Sequence, residues 1–238
     1  MSTIIWKGNQ LPNTNFAIDI NAPVYTSKDG TPEFNKALID YVYECEQVLE
    51  REELVSPVTK NEIDPYKYTQ HWKQHNILDD SGPRLDGDHL EKFKTNPVQQ
   101  LLFNKLRENY LLLLADLKYP RKKVWIHSWA NIIRHGEFIS PHTHIVNHNS
   151  YLASVYYPQS SKASLYLAHP TDHESFLKVD IKESNVLMFP AWVKHHSDIN
   201  NEGDRVSIAA DIVVEDIMLK NPWRPHILFD DPKTMKGL

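Results

Sequence analysis

The sequence predicts an α+β fold that is mainly β, a sandwich or barrel of strands backed by helices, and three observations carry that prediction. Two segments in the first half place apolar residues at helical spacing. From Lys122 onward the apolar period becomes that of strands. The strands follow the helices instead of alternating with them, which argues against a parallel sheet with crossover helices. A chain of 238 residues suits a single domain. Within it, residues 1–120 read as a helical and irregular support region, 121–215 as the β core and 216–238 as a C-terminal extension.

The first helix begins at Thr31-Pro32, a cap followed by proline at the first helical position. Phe34, Leu38, Tyr41, Cys45 and Val48 then share one face over about five turns. Between Glu53 and Pro97 the pattern is irregular, with turns marked at Ser56-Pro57, Asp64-Pro65 and Ser81-Gly82-Pro83. A second helix runs from Gln99 to Leu117 on the stripe Leu102, Leu106, Tyr110, Leu113 and Leu117, and stops at Tyr119-Pro120. Strands follow at Val124–Ile133, Ser150–Tyr157, Ala163–Ala168, Phe176–Ile181, Asn185–Phe189 and Arg205–Val214, each rich in β-branched and aromatic residues. In the last strand Val206, Ile208, Ala210 and Ile212 alternate with Arg205, Ser207, Ala209 and Asp211, so one face suits helices and the other something polar.

Composition excludes several function classes. With 41% hydrophobic and 24% charged residues and a net charge of -5, the chain is of ordinary globular type. It has no basic stripe to attract nucleic acid. A single cysteine, Cys45, excludes an internal disulfide and a multi-cysteine zinc site, and fits a reducing compartment. The opening residues Met1–Lys7 lack the apolar core of a secretory leader, and no stretch reaches roughly 18 uninterrupted apolar residues. The expected location is cytoplasmic, with no membrane partner.

Thirteen histidines are present, and three fall within "GEFISPHTHIVNH": His142, His144 and His148. On an extended segment His142 and His144 leave the same face. His195 follows "FPAWVK" after another apolar strand, and meets the first pair if the two strands are neighbours. Two ligands from one segment and one from another make a facial site with open coordination positions, and imidazole suits iron, zinc, copper or nickel. His148, His169, His173 and His196 read as surface or loop residues. A guanidinium at Arg205 aimed into the barrel is costly unless it meets an anion, and its planar fork suits a carboxylate. The plainer alternative is an ion pair with a structural acid.

At these residues the chain resembles a known family. The run Trp129-Ala-Asn131, Gly136-Glu-Phe, His142-Thr-His144, Ala153-Ser-Val-Tyr-Tyr157, Leu165, His169-Pro170, then Phe189-Pro-Ala-Trp-Val-Lys-His195 and Arg205-Val-Ser-Ile, is similar to 2-oxoglutarate/iron(II)-dependent oxygenases of bacteria and phages. The likeness covers about residues 124 to 214, with Ala153-Ser154 standing where that family often has Ser-Gly. It implies a double-stranded β-helix, or jelly roll, with the N-terminal helices packed on its larger sheet. It implies iron(II) held by His142, His144 and His195, and 2-oxoglutarate as co-substrate with its far carboxylate on Arg205 and Ser207. Asn131 and Tyr156 stand where related enzymes place co-substrate contacts; a cross-strand bond and a core aromatic are their plainer readings. The implied setting is the cytoplasm of a bacterium or of a phage-infected host. A homodimer is left open, and the substrate, small molecule or protein, is not readable. Trp129, Tyr151, Trp192 and the stretch Tyr66–His75 line the entrance or form a loop packed over it.

One departure stands out: the wider superfamily has Asp or Glu where this chain has His144. That keeps a cupin-type three-histidine dioxygenase open, with His196 and Asn200 echoing the end of the cupin pattern. A non-enzymatic jelly roll holding zinc, closed by His148 or Asp198, is a third reading. Zinc-dependent hydrolysis needs a carboxylate base, for which Glu137 and Asp198 are the nearest candidates.

Overall fold

The elements form where turn chemistry and periodicity place them. In chain order they are β1 (Ser2–Trp6), β2 (Ala22–Lys28), α1 (Pro32–Arg51), β3 (Thr69–Gln70), α2 (Pro97–Leu117), β4 (Val124–Ile133), β5 (Ser150–Tyr157), β6 (Ser164–His169), β7 (Asp172–Asp180), β8 (Asn185–Pro190), β9 (Lys194–Ser197), β10 (Arg205–Val214) and β11 (Ile227–Asp230). The computed structural model describes residues 2–7, 22–51, 69–70, 77–78, 96–144, 150–169, 172–214 and 226–237. Helix α1 is capped by Thr31, whose hydroxyl accepts the Phe34 N–H at 3.2 Å. Helix α2 starts on Asn96, whose side chain accepts the Val98 N–H, with Pro97 in its first turn. It ends at Lys118, which takes up the left-handed conformation that closes helices. Among the described residues no helix is long and apolar enough to cross a membrane.

Two antiparallel sheets face each other. The larger has eight strands in the order β1-β2-β8-β5-β10-β4-β11, with β3 also paired to β4. The smaller runs β7-β6-β9. The pleat sends alternate residues of the larger sheet to opposite sides. Ile126, Ala130, Ile132, Leu152, Tyr156, Val186, Met188, Val206, Ile208 and Ile212 join Phe34, Leu38, Tyr41, Leu102, Leu106 and Tyr110 in one buried cluster, which fixes both helices to the outer face. Ala153, Val155, Tyr157, Leu187 and Phe189 join Leu165, Leu167 and Val193 in a second cluster between the sheets.

Strands β4, β5 and β10 have the limits the sequence predicts. The larger sheet also draws β1 and β2 from the supposed support region and β11 from the supposed extension. Strand β1 lies at the sheet edge with Ile4 and Ile5 each 47% exposed, so it lacks the buried alternation that marks a strand in sequence. Of the irregular stretch between Glu53 and Pro97, Thr69–Gln70 pairs with β4, Ile77 and Leu78 are buried, and the rest before Asn96 lies outside the described residues.

Candidate metal centre

The segment that carries His142 and His144 is set by a glycine turn and by Asn200. Gly136 has φ of +82°, a conformation that glycine adopts without steric cost, in a turn closed by Glu137 N–H to Arg134 carbonyl at 3.0 Å. Asn200 pins that turn. Its carbonyl accepts the Gly136 N–H at 2.7 Å, its N–H donates to the Glu137 carbonyl at 2.8 Å, and its side-chain amide donates to the Ile133 and Gly203 carbonyls. The chain then runs antiparallel beside β9. Ser197 N–H donates to the Ile139 carbonyl, and His142 and His195 exchange both backbone hydrogen bonds, at 3.0 and 2.9 Å. His144 N–H donates to the Ala191 carbonyl at 2.9 Å. This backbone pairing brings residues distant in sequence into one site.

His142, His144 and His195 present ligand nitrogens that all lie within 4.8 Å of one another. Each has its Nδ1 occupied. His142 Nδ1 lies 2.7 Å from the Ser140 carbonyl and His195 Nδ1 lies 3.1 Å from the Val193 carbonyl, so both donate there. His144 Nδ1 donates to the Asp211 carboxylate at 2.5 Å. These Nδ1 contacts leave Nε2 as the nitrogen that each ring can offer to a metal. The Nε2 atoms of His144 and His195 are 3.2 Å apart. Burial, and then the neighbouring His144 and His142, hold the His195 pKa well below the usual histidine value, so it stays neutral and ready to ligate. The His144 ring is stacked between Trp129, at 5.7 Å, and His195, at 4.9 Å. Three imidazoles with their Nδ1 atoms tied fit a divalent transition metal.

The inner face of β10 completes the site. Arg205, Ser207 and Asp211 are 2%, 2% and 3% exposed. Arg205 donates from one terminal nitrogen to Ser197 Oγ at 2.9 Å, whereas its Nε and other terminal nitrogen have no partner among the described residues. Burial lowers its pKa from the usual guanidinium value, against the pull of Tyr157 and Asp198. Burial raises the Tyr157 hydroxyl pKa, against the pull of Arg205. The three histidines open on a cleft enclosing about 400 Å³ of empty space, open solvent included. Ser207 and Asn131 line its polar side, and Trp129, Val155, Tyr157 and Leu165 its apolar side.

Six of the seven site residues expected from sequence are thus gathered on the inner side, with Arg205 at the end of the same β10 face. Asn131 sits opposite Ser207 on β4, with Oδ1 free of partners among the described residues. Tyr156 is a correction. The register that pairs Ile208 with Tyr156 puts it on the helix side of the sheet, where its hydroxyl donates to Asn35 Oδ1 at 2.5 Å. Its neighbour Tyr157 points into the cleft instead. His169 is a second correction, being 2% exposed with its ring edge-on to Trp6 of β1. His196 stacks on Tyr166 at 5.2 Å, away from the cluster. Asp198 accepts from the Ser164 N–H and the Tyr166 hydroxyl, and Glu137 from the Arg134 N–H, so neither stands by the metal ligands as a closing ligand or a base. His148 and the side chain of His173 lie outside the described residues. Sequence reasoning left Asp211 without a role, although the β10 alternation puts it on the polar face.

No protein-family model matches the chain, and none of the curated proteins does. Solved structures do match. The chain is similar to a Pseudomonas putida prolyl-4-hydroxylase, with a TM-score of 0.53 and 11% identity over 81% of this chain and 92% of that one. The fold is the double-stranded β-helix. It is likewise similar to AviO1 from Streptomyces viridochromogenes Tue57, with a TM-score of 0.52 and 15% identity over 81% and 90% of the two chains. The viral collagen prolyl hydroxylase of Paramecium Bursaria Chlorella virus-1, solved with 2OG, gives a TM-score of 0.51 and 12% identity over 81% and 96%. In the double-stranded β-helix described here, the three histidines open on the cleft between the sheets, and Arg205 of β10 reaches Ser197 of β9 across it.

Proposed function

We propose that this chain is a non-haem iron(II)- and 2-oxoglutarate-dependent oxygenase, a hydroxylase in its simplest form. One observation carries the reading: three imidazoles with ligand nitrogens within 4.8 Å of one another open on a cleft that Ser207 of β10 also lines, and the same face of β10 carries a buried arginine with two donors that have no partner among the described residues. His142, His144 and His195 would hold iron(II), which when bound supplies the activation of oxygen coupled to decarboxylation of the keto acid. Arg205, with Ser207 beside it, would bind the far carboxylate in a paired, charge-assisted contact. Asn131 offers a further acceptor on the same wall. Trp129, Val155, Tyr157 and Leu165 make the wall apolar, which strengthens those polar contacts and keeps bulk water from the reacting atoms. No side chain is assigned as acid or base. A cupin-type three-histidine dioxygenase gives Arg205 no task, and His196 and Asn200 are engaged elsewhere. A bacterial or phage cytoplasm suits this reading and a chain whose single cysteine, Cys45, is buried.

The test is turnover. Iron(II)-loaded protein in air is expected to release labelled carbon dioxide from carboxyl-labelled 2-oxoglutarate and to form succinate in equal amount, with both products lost in His195→Ala. Succinate formation that persists in that variant, or none from protein shown to hold both iron and keto acid, contradicts the proposal.

A further inference from the structure

The resemblance puts a carboxylate at the position of His144, and the structure puts one directly behind that histidine. Asp211 Oδ1 lies 2.5 Å from His144 Nδ1, and the two residues are 3% and 5% exposed. A carboxylate can only accept this proton, so His144 is held in the Nδ1–H form with Nε2 turned to the metal site. Asp211 sits on the inner face of β10 with Arg205 and Ser207, opposite Ala153 of β5 and His127 of β4. The two other histidines donate to neutral backbone carbonyls, so among the three Nδ1 contacts this one alone brings a charge-bearing group.

We infer that Asp211 is a positioning residue of the metal centre: it fixes the tautomer of His144 and supplies through the imidazole the negative charge that a carboxylate ligand would supply directly. Three neutral ligands leave the full dipositive charge of a metal in a buried site, which is costly to hold without a counter-charge. A carboxylate hydrogen-bonded to a ligating imidazole raises that ligand's basicity and offsets the charge. The inference rests on the metal-binding part of the proposed function and is independent of 2-oxoglutarate.

Affinity for iron(II) under anaerobic conditions, measured by chelator competition on the full chain, tests it in wild type, Asp211→Asn and the double variant His144→Asp with Asp211→Asn. The single variant is expected to bind about 10- to 100-fold more weakly. The double variant, which moves the carboxylate into the ligand position, is expected to regain about tenfold or more of that loss, because the charge is restored. Loss of a merely structural contact would not be rescued by altering its partner as well. Nitrogen-15 correlation spectra of metal-free wild type give a reading that does not depend on the variants folding, with His144 expected as the Nδ1–H tautomer. Wild-type affinity in Asp211→Asn, a double variant no tighter than the single one, or an Nε2–H tautomer overturns the inference. A wild type that binds no divalent metal overturns this inference and the proposed function together. Metal binding that depends on Asp211 without any response to 2-oxoglutarate upholds the inference and overturns the proposed function alone.

Discussion

Replacing Arg205 with methionine separates stability from ligand binding, with effects of opposite sign. The guanidinium is 2% exposed, has one hydrogen bond to Ser197 and two donor nitrogens without partners among the described residues. Burial outweighs the attraction of Tyr157 and Asp198 and lowers its pKa, so the charged form is less stable here than in water. Exchanging such a cation for an apolar side chain of similar length is expected to stabilise the metal-free protein by about 1–3 kcal/mol. For a chain of this size that raises the midpoint of thermal unfolding by about 2–4 °C per kcal/mol. Ser197 keeps its bonds to Ile139 N–H and to the Asp198 carbonyl, so its own loss is small. The same substitution removes a desolvated partner of the keto-acid carboxylate, which costs about 2–5 kcal/mol of binding, or roughly 30-fold to several thousand-fold in Kd. Differential scanning calorimetry of metal-free protein and anaerobic titration calorimetry of 2-oxoglutarate into iron-loaded protein measure the two effects. A destabilised variant with unchanged keto-acid affinity would refute the reasoning, since Arg205 would then be a structural ion-pair partner.

Three further outcomes are expected. Tyr156→Phe removes a buried hydroxyl that donates to Asn35 and costs about 1–3 kcal/mol of stability while leaving keto-acid affinity unchanged; a tenfold weaker affinity would return Tyr156 to the site. Asn200→Ala frees the Ile133 and Gly203 carbonyls and loosens the turn that leads to His142, costing about 1–3 kcal/mol in chemical denaturation and weakening metal binding. If metal affinity is unchanged, the turn does not position the ligands. The Tyr43 hydroxyl, raised to about 12 by burial and by its bond to Asp204, favours the protonated form in the folded state. That contribution is whole below pH 10, where the unfolded phenol begins to ionise, and is lost as pH rises towards 12. Tyr43→Phe should therefore flatten the decline of stability over that window, and an unaltered decline speaks against it.

The strands that build the inner wall were legible because they are central. In β4, β5 and β10 almost every position is buried, so their apolar runs stop only at turns. The polar face of β10 was legible through alternation alone. Strand β9, with Lys194, His195, His196 and Ser197, has no β-branched residue and forms through backbone pairing with β6 and with the His142 segment, which a single sequence does not reveal. The misplacement of Tyr156 has the same origin. Tyr156 and Tyr157 are adjacent, so which of them faces inward depends on the register with β10, a property of the partner strand. His169 looked like a loop residue because Trp6, which packs on it, lies at the far end of the chain. Asp211 stood in the readable alternation of β10, and only its contact with His144 supplies its purpose.

The central claim is that one cleft holds a metal on three imidazoles beside an arginine kept for a dicarboxylic keto acid. The most direct measurement is the visible spectrum of iron(II)-loaded protein during anaerobic titration with 2-oxoglutarate. A weak charge-transfer band is expected to grow to saturation in wild type, to need far higher keto-acid concentrations in Arg205→Met and to be absent in His195→Ala. Iron bound by the histidines with a spectrum that 2-oxoglutarate leaves unchanged would contradict the account.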